Sequence, residues 1–258
     1  MDGIISRKCK IPKREEDELR KWDEIVEEAP DKFHTFWWLK HVKMDYETYL
    51  TYTNSIYPIS LLNIKKGWKV LDIGCGWGRD LNIIRKAYGA DAIGIDIQIR
   101  NNDIIADGRF LCFKDNTFDA VSAITTLAFV REEEKMLKEI WRVLKNNGKL
   151  LLLLYNNSPS IFLRKILKIS GAGIWTPDFY GGYRKFHNMN EITSLLKILN
   201  FRIEVAYYTN FAVLLLDRFP KFVEWVFGNE SGISKMWIAR MIAKRIVVIA
   251  RAEKEKDE

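Results

Sequence analysis

Val70-Leu71-Asp72-Ile73-Gly74-Cys75-Gly76-Trp77-Gly78-Arg79 is the stretch that decides the fold. An apolar run ends in an acid, and three glycines follow at alternate positions. Trp68 to Ile73 reads as a short buried strand. Leu81, Ile83, Ile84 and Tyr88 then recur at roughly helical spacing. The glycines therefore lie in a strand-to-helix turn, where a residue without Cβ adopts positive φ and lets a ligand touch backbone. The helix after the turn aims its N–H groups and the positive end of its dipole at whatever lies there. A dinucleotide site prefers Gly-x-Gly-x-x-Gly, with pyrophosphate on the helix N-terminus. Gly78 comes one residue too early for that spacing. The Asp72 carboxylate would also repel a pyrophosphate, whereas it suits an ammonium group. A glycine-rich turn without a ligand is the competing reading.

Asp72-x-Gly74-x-Gly76-x-Gly78 resembles the first motif of the class I S-adenosylmethionine-dependent methyltransferases. The resemblance continues in register over residues 67–155 and points to the small-molecule, quinone-biosynthesis-like branch. Ala92-Ile93-Gly94-Ile95-Asp96 is a second apolar run ending in an acid, where a carboxylate can accept both ribose hydroxyls. Asp107-Gly108 through Phe118-Asp119 resembles the family's third acidic stretch, with Cys112 where proline is usual. Arg142-Val143-Leu144-Lys145-Asn146-Asn147-Gly148-Lys149-Leu150 resembles its helix stop, with Gly148 placed to end a helix. Leu150 to Tyr155 reads as a fully apolar strand of a parallel sheet. One departure stands out: only Ile97 to Asp103 separates Asp96 from the third strand, so the helix normally found there is cut to a turn or lost.

The resemblance implies an α/β fold, a doubly wound seven-stranded mostly parallel sheet, with S-adenosylmethionine as cofactor. Residues 1–66 would form an N-terminal helical cover and 67–155 the cofactor-binding core. Residues 156–258 would add a lid, the last sheet strands and a helical insertion to the same domain. Asp72 would orient the methionine ammonium. Gly74, Cys75, Gly76 and Gly78 would let the cofactor approach backbone. Asp96, with Ile97 beside it, would hold the ribose; Asp107, with Gly108, would hold the adenine. Thr125 and Thr126 would line the methyl site. Many small-molecule members carry a histidine where Ala128 or Phe129 stands, so the catalytic base stays unassigned, with His187 and Tyr183 as candidates. No metal site is expected.

Outside that core the residues speak less specifically. The chain has 258 residues, a net charge of +7 and 48% hydrophobic residues, enough for one domain with additions. Cys9, Cys75 and Cys112 are odd in number and lack metal spacing, which predicts reduced thiols and a cytoplasmic protein. No signal core and no long apolar span are expected. Leu19, Trp22, Ile25 and Val26 make one stripe of a surface helix over Glu15 to Glu28. Phe33 to Trp38 reads equally as core or as substrate pocket. Tyr52 and Tyr57 are candidates to cover the cofactor, with Pro58 as a helix break. Ser160 to Ile169 reads as an amphipathic basic helix. Trp175, Tyr180, Tyr183, Arg184 and His187 are pocket candidates for which lid packing is the commoner outcome. Asn190 to Leu199 reads as a helix capped by Asn188 or Asn190. Phe201 to Val205 and Arg245 to Arg251 read as an antiparallel pair closing the sheet. The apolar segment between them, 211–243, leads into a basic helix expected over Met236 to Lys244, and this insertion could pack as core, form a homodimer, line a pocket or contact a membrane peripherally.

Asn/Asp-Pro-Pro-Tyr/Phe is absent after the fourth strand, which disfavours methylation of an exocyclic base amine. No Pro-Cys or Thr-Cys stands there either, which disfavours a cysteine attack on a pyrimidine. The favoured acceptor is a small molecule, with an apolar or isoprenoid one among the candidates. RNA is the second class, suggested by the basic charge and opposed by the lack of a separate RNA-binding module. A catalytically inactive cofactor-binding regulator is the third.

Overall fold

In the computed structural model, residues 52–98, 102–159, 184–211 and 220–254 are described, without the side chains of 220, 223 and 224. Seven strands form one sheet: β1 (Lys69–Ile73), β2 (Asp91–Asp96), β3 (Ile104–Ile105), β4 (Phe118–Ile124), β5 (Leu144–Tyr155), β6 (Phe201–Phe211) and β7 (Ala243–Ala252). Their order is β3-β2-β1-β4-β5-β7-β6, with β7 antiparallel to both β5 and β6. The expected sheet is therefore present.

The period of two along the strands sorts the core into two layers. Leu150, Leu152 and Leu154 of β5 join one apolar cluster, and Leu151 and Leu153 join the other. On the first face lie α3 (Glu133–Val143), through Met136, Leu137 and Ile140, and α4 (Met189–Ile198), through Ile192 and Leu196. On the second lie α1 (Tyr57–Leu61) and α2 (Arg79–Tyr88), through Ile59, Leu81, Ile83 and Ile84. A π-turn over Tyr52–Ile56 leads into α1, and Pro58 occupies its first turn. Pro58 thus starts a helix instead of breaking one, because an N–H is not needed there. Helices α5 (Pro220–Lys235) and α6 (Ala239–Ile242) sit between β6 and β7.

Four expectations change. Gly148 does not end a helix. Helix α3 stops at Val143, and Leu144 is already extended (φ −66°, ψ 144°) and pairs with Phe118. The chain then turns through Asn147, at φ 60°, before the ladder resumes at Lys149 opposite Ala120. A Cβ on Gly148 would lie 2.9 Å from the Lys145 carbonyl oxygen, so the glycine shapes this turn. Cys112 is disulfide-bonded while Cys75 is free, which corrects the expectation of three reduced thiols. The basic helix expected over Met236 to Lys244 is only α6, because Lys244 already belongs to β7 and is buried there. The antiparallel strands also run longer than their alternation suggested, β6 reaching Phe211 through a register shift between Ile203 and Val205.

The described residues between β2 and β3 carry no helix. Side chains brace this link instead. The Asp103 carboxylate accepts the Gly94 N–H at 2.8 Å and pairs with Arg85, whose guanidinium also donates to the Ala92 carbonyl at 2.8 Å. The expected segments Glu15 to Glu28, Phe33 to Trp38 and Ser160 to Ile169, with Trp175, Tyr180 and Tyr183, lie outside the described residues.

Candidate active site

Strand order reverses between β1 and β4, and in such sheets a crevice opens at the carboxyl ends of the two strands. The glycine turn closes β1 there. Gly74, Gly76 and Gly78 all have positive φ, at 70°, 53° and 78°, and Gly78 caps the start of α2. They serve different purposes. A Cβ on Gly74 would lie 2.3 Å from Thr126 Oγ1, so Gly74 makes room for the loop after β4. A Cβ on Gly76 would meet nothing within 4 Å, so Gly76 lines open space. Cys75 packs its sulfur against Gly94, and burial pushes its thiol pKa up. The side chain of Cys75 is thus core, and its peptide is the part that faces the turn.

Asp72 is buried at 2% exposure beside Ser122, the residue opposite it in β4. Ser122 donates to Asp72 Oδ1 at 2.7 Å, while Oδ2 is buried with no hydrogen-bond partner. Burial raises the Asp72 pKa to about 7, with the nearby Asp80 charge adding to it and the Ser122 hydrogen bond opposing. An unpartnered buried carboxylate oxygen is rare because it costs desolvation without return. A cationic ammonium supplied by a ligand would remove that cost, so the residues present fit S-adenosylmethionine at this end.

Asp96 ends β2 and closes the turn from the other side. Its Oδ2 accepts the Gly76 N–H at 3.1 Å and its Oδ1 accepts the Gln98 N–H at 2.9 Å. Both oxygens keep lone pairs for a ligand diol. Ile97 beside it is 66% exposed, an apolar side chain facing outward at the same rim. Asp107 is differently placed from a free acceptor: Arg109 clamps both its oxygens, with Nη2 to Oδ2 at 2.7 Å. Burial alone would raise its pKa, but the Arg109 hydrogen bonds and charge outweigh this and hold it below the usual carboxylate range. Gly108 follows, where a Cβ would lie 3.1 Å from Ile73 and 3.2 Å from Met136.

Thr125 and Thr126 follow β4. Thr126 Oγ1 donates to the Ile73 carbonyl at 2.8 Å, tying this loop to the end of β1. Thr125 has φ 62°, a left-handed conformation that a β-branched residue adopts only under constraint, and such constraint clusters at functional sites. Tyr52 and Tyr57 stack on each other and meet Phe227 and Tyr207, so the π-turn packs on the β6 side of the sheet.

The segment after residue 183 brings His187 to the same edge. Lys185 N–H bonds the Ala128 carbonyl and His187 N–H bonds the Tyr155 carbonyl, both at 2.8 Å. His187 is buried, with Nε2 2.9 Å from Glu133 Oε2. Burial would raise the Glu133 pKa, but hydrogen bonds from His187 and Lys185 prevail and hold it below the usual range. An ionised Glu133 makes Nε2 the donor, which leaves Nδ1 buried without a partner. Next to this pair lies a cleft of about 530 Å³, lined by Asn156, Asn157, Asn188, Tyr208, Arg240 and Met241 among others. It opens at the ends of β5 and β6, and β5 lies two strand spacings from β1, about 10 Å. Ser122, Glu133, Asn156 and Arg240 were not singled out by the sequence reading. Ser122 had a signal, as the buried polar residue in the apolar second half of β4; the others meet their partners outside any strand register.

Residues 71–152 match a protein family described as "Methyltransferase domain". The chain belongs to this methyltransferase family. An uncharacterized protein of Methanocaldococcus jannaschii is 30% identical over 177 residues, covering 60% of this chain and 70% of that protein. A wheat phosphoethanolamine N-methyltransferase is 28% identical over 116 residues, covering 39% of this chain and 23% of the enzyme. The chain thus spans under a quarter of that relative's length. Among solved structures, phosphoethanolamine N-methyltransferase 2 of Haemonchus contortus, in complex with S-adenosyl-L-methionine, shares the fold. Its TM-score is 0.51 at 17% identity, covering 84% of this chain and 59% of that one. Within this family's fold, the matched residues run from the middle of β1 to the middle of β5, which is the half that holds Asp72, Asp96 and the glycine turn.

Proposed function

We propose that this protein transfers a methyl group from S-adenosylmethionine to a small-molecule acceptor. The observation that carries the reading is the buried, unpartnered Asp72 Oδ2 at the mouth of an open glycine turn. Asp72 would hold the donor's ammonium, the Gly76 backbone would border its methionine part, and Asp96 would take the ribose. When bound, the donor supplies a sulfonium methyl that is electrophilic without further activation. The chain's task is then to orient the acceptor nucleophile in line with the methyl–sulfur bond and to exclude water, so positioning carries most of the rate.

An acceptor held in line by the chain would take the methyl as the methyl–sulfur bond breaks. An O–H or N–H acceptor must also lose a proton. His187, with Glu133 fixing its ring, is the candidate base, and its free Nδ1 supports that role. The constrained Thr125 supports placing the methyl at the end of β4. The kinship with a phosphoethanolamine methyltransferase supports a small acceptor over RNA.

The test is transfer of labelled methyl from the donor to a panel of small acceptors and to bulk RNA, with Asp96→Ala as control. Label entering a small molecule, and lost in the variant, is the expected result. Label entering RNA alone would move the acceptor to the second class. Tight donor binding with no transfer to any acceptor would favour a cofactor-binding regulator.

A further inference from the structure

The segment after residue 183 runs like a short strand. Alternate N–H groups, of Lys185 and His187, bond the Ala128 and Tyr155 carbonyls. Successive side chains therefore meet different partners. Lys185 and His187 meet Glu133 of α3, whereas Arg184 and Phe186 meet the ring of Tyr155 at the end of β5. The Arg184 guanidinium carbon lies 5.0 Å from the centroid of that ring and 5.4 Å from the centroid of Phe129. Phe129 meets Tyr155 edge-on at 6.3 Å, and Phe186 does so at 5.8 Å. Arg245, opposite Tyr155 in β7, brings a second guanidinium to the same ring, 3.9 Å from its centroid. Arg184 is half-buried, yet among the described residues it donates no hydrogen bond and joins no ion pair; its contacts are the two rings. A guanidinium carries five N–H donors, and a contact with a ring face uses none of them. The carboxylates of this region do not reach it: Glu133 and Glu191 both pair with Lys185.

We propose that Arg184 receives an anionic group of the methyl acceptor, a carboxylate or a phosphate carried on an apolar body. It rests on the proposed methyl transfer only in calling the ligand an acceptor. Placement supports it. Phe129 N–H bonds the Thr126 carbonyl at 3.0 Å, so a single 3₁₀ turn, Leu127–Phe129, separates the ring under Arg184 from the threonines at the proposed methyl end. The guanidinium thus stands beside the loop that an acceptor must approach. Chemistry supports it as well. The planar fork of N–H groups matches two oxygens of a carboxylate or a phosphate at once, which a lysine ammonium does not. The rings of Phe129, Tyr155 and Phe186 give the rest of the molecule an apolar wall, and their exclusion of water strengthens an ion pair formed against them. A cationic acceptor would meet Arg184 as a like charge and be disfavoured, so the same side chain selects as well as holds.

Calorimetric titration of benzoate, phenyl phosphate and benzyl alcohol into the full chain, with and without S-adenosylmethionine, tests it. The expected result is that an anion binds and that benzyl alcohol, with the same ring and no charge, does not. Benzoate alone would name a carboxylate, phenyl phosphate alone a phosphate, and both the chemistry they share. Arg184→Gln should weaken anion binding on the order of 100-fold, the scale of a lost charged hydrogen-bond pair. Arg184→Lys should keep part of it, since the charge stays and the fork goes. Both variants should melt close to the parent, because Arg184 holds no hydrogen bond or ion pair. Both should also bind S-adenosylmethionine as the parent does, which separates this subsite from the donor site. Anion binding without donor binding would remove the methyl-transfer reading and leave the anion site standing. No anion binding to the parent, equal binding of benzyl alcohol, or anion binding that survives Arg184→Gln would overturn the proposal, whatever the donor does.

Discussion

The end of the sheet proposed to hold the donor, at β1, β2 and β4, and the end that carries His187, at β5, β6 and β7, are built from different kinds of contact. At β1, β2 and β4 the key groups are close in sequence or paired by strand register: Asp72 faces Ser122, Gly76 meets Asp96, and Gly74 leaves room for Thr126. At β5, β6 and β7 they come from separate elements outside any strand register: His187, on the segment after β5, meets Glu133 of α3, and the Asn156 side chain donates to the Arg240 and Ala243 carbonyls. A site made of strand ends and tight turns is fixed by local geometry. One made of distant side chains depends on how the connecting segments pack, and those segments differ freely while the sheet stays the same.

The largest expected difference between the two ends comes from Asp72→Asn. The donor Kd should rise on the order of 100-fold, the scale of a lost charged hydrogen bond. The ligand-free protein should at the same time hold or gain stability, since a buried carboxylate without a full set of partners is removed. Proton linkage sharpens this. The folded Asp72 pKa is raised from 3.8 to about 7, so the folded state keeps the proton longer than the unfolded chain. This group therefore lowers stability as pH rises from about 4 to about 7, by on the order of 4 kcal/mol, and adds no further change above that. Chemical denaturation across this range should show a more positive slope of stability with pH for Asp72→Asn than for the parent. A parallel slope would remove Asp72 from the account.

Glu133→Gln should act at the other end. It weakens the support of His187 and Lys185, costing about 1–3 kcal/mol of stability. Methyl transfer should fall while donor affinity stays as it was; a loss of donor affinity would mean the two ends are not separable. The glycine turn offers an internal contrast of smaller size. Gly74→Ala should destabilise by about 1–3 kcal/mol, because its Cβ would strike Thr126. Gly76→Ala should cost only about 1 kcal/mol of stability for its positive φ, yet weaken donor binding, because its Cβ would enter the open space of the turn. Smallest is Thr125→Gly, which should stabilise by up to about 1 kcal/mol by relieving a left-handed β-branched residue and should slow transfer. Thermal melts and labelled-methyl assays read both quantities.

The same contrast explains what the sequence made legible. Asp72, the glycines and Asp96 stand at the ends of apolar runs, so the alternation of strand, acid and turn placed them without a structure. The antiparallel pair β6 and β7 was visible in its alternation as well. The Arg109 clamp on Asp107 was not, since an Asp-Gly-Arg triplet reads equally as a turn. The role of Gly148 was hidden because a glycine after a helix ordinarily caps it, and only the early pairing of Leu144 with Phe118 shows otherwise. Glu133 looked like an ordinary acid in the first turn of a helix. His187 is legible as a pocket and base candidate, but its burial and its partner depend on the segment that returns to Tyr155 and Ala128.

Hydrogen exchange with and without S-adenosylmethionine tests the central claim most directly. The account expects the ligand to slow exchange at the Gly74, Gly76 and Gly78 amides and at Thr125, with little change at Asn156, Asn157 and Arg240. Protection confined to the Asn156–Arg240 cleft, or absent at the glycine turn when the donor is bound, would contradict it.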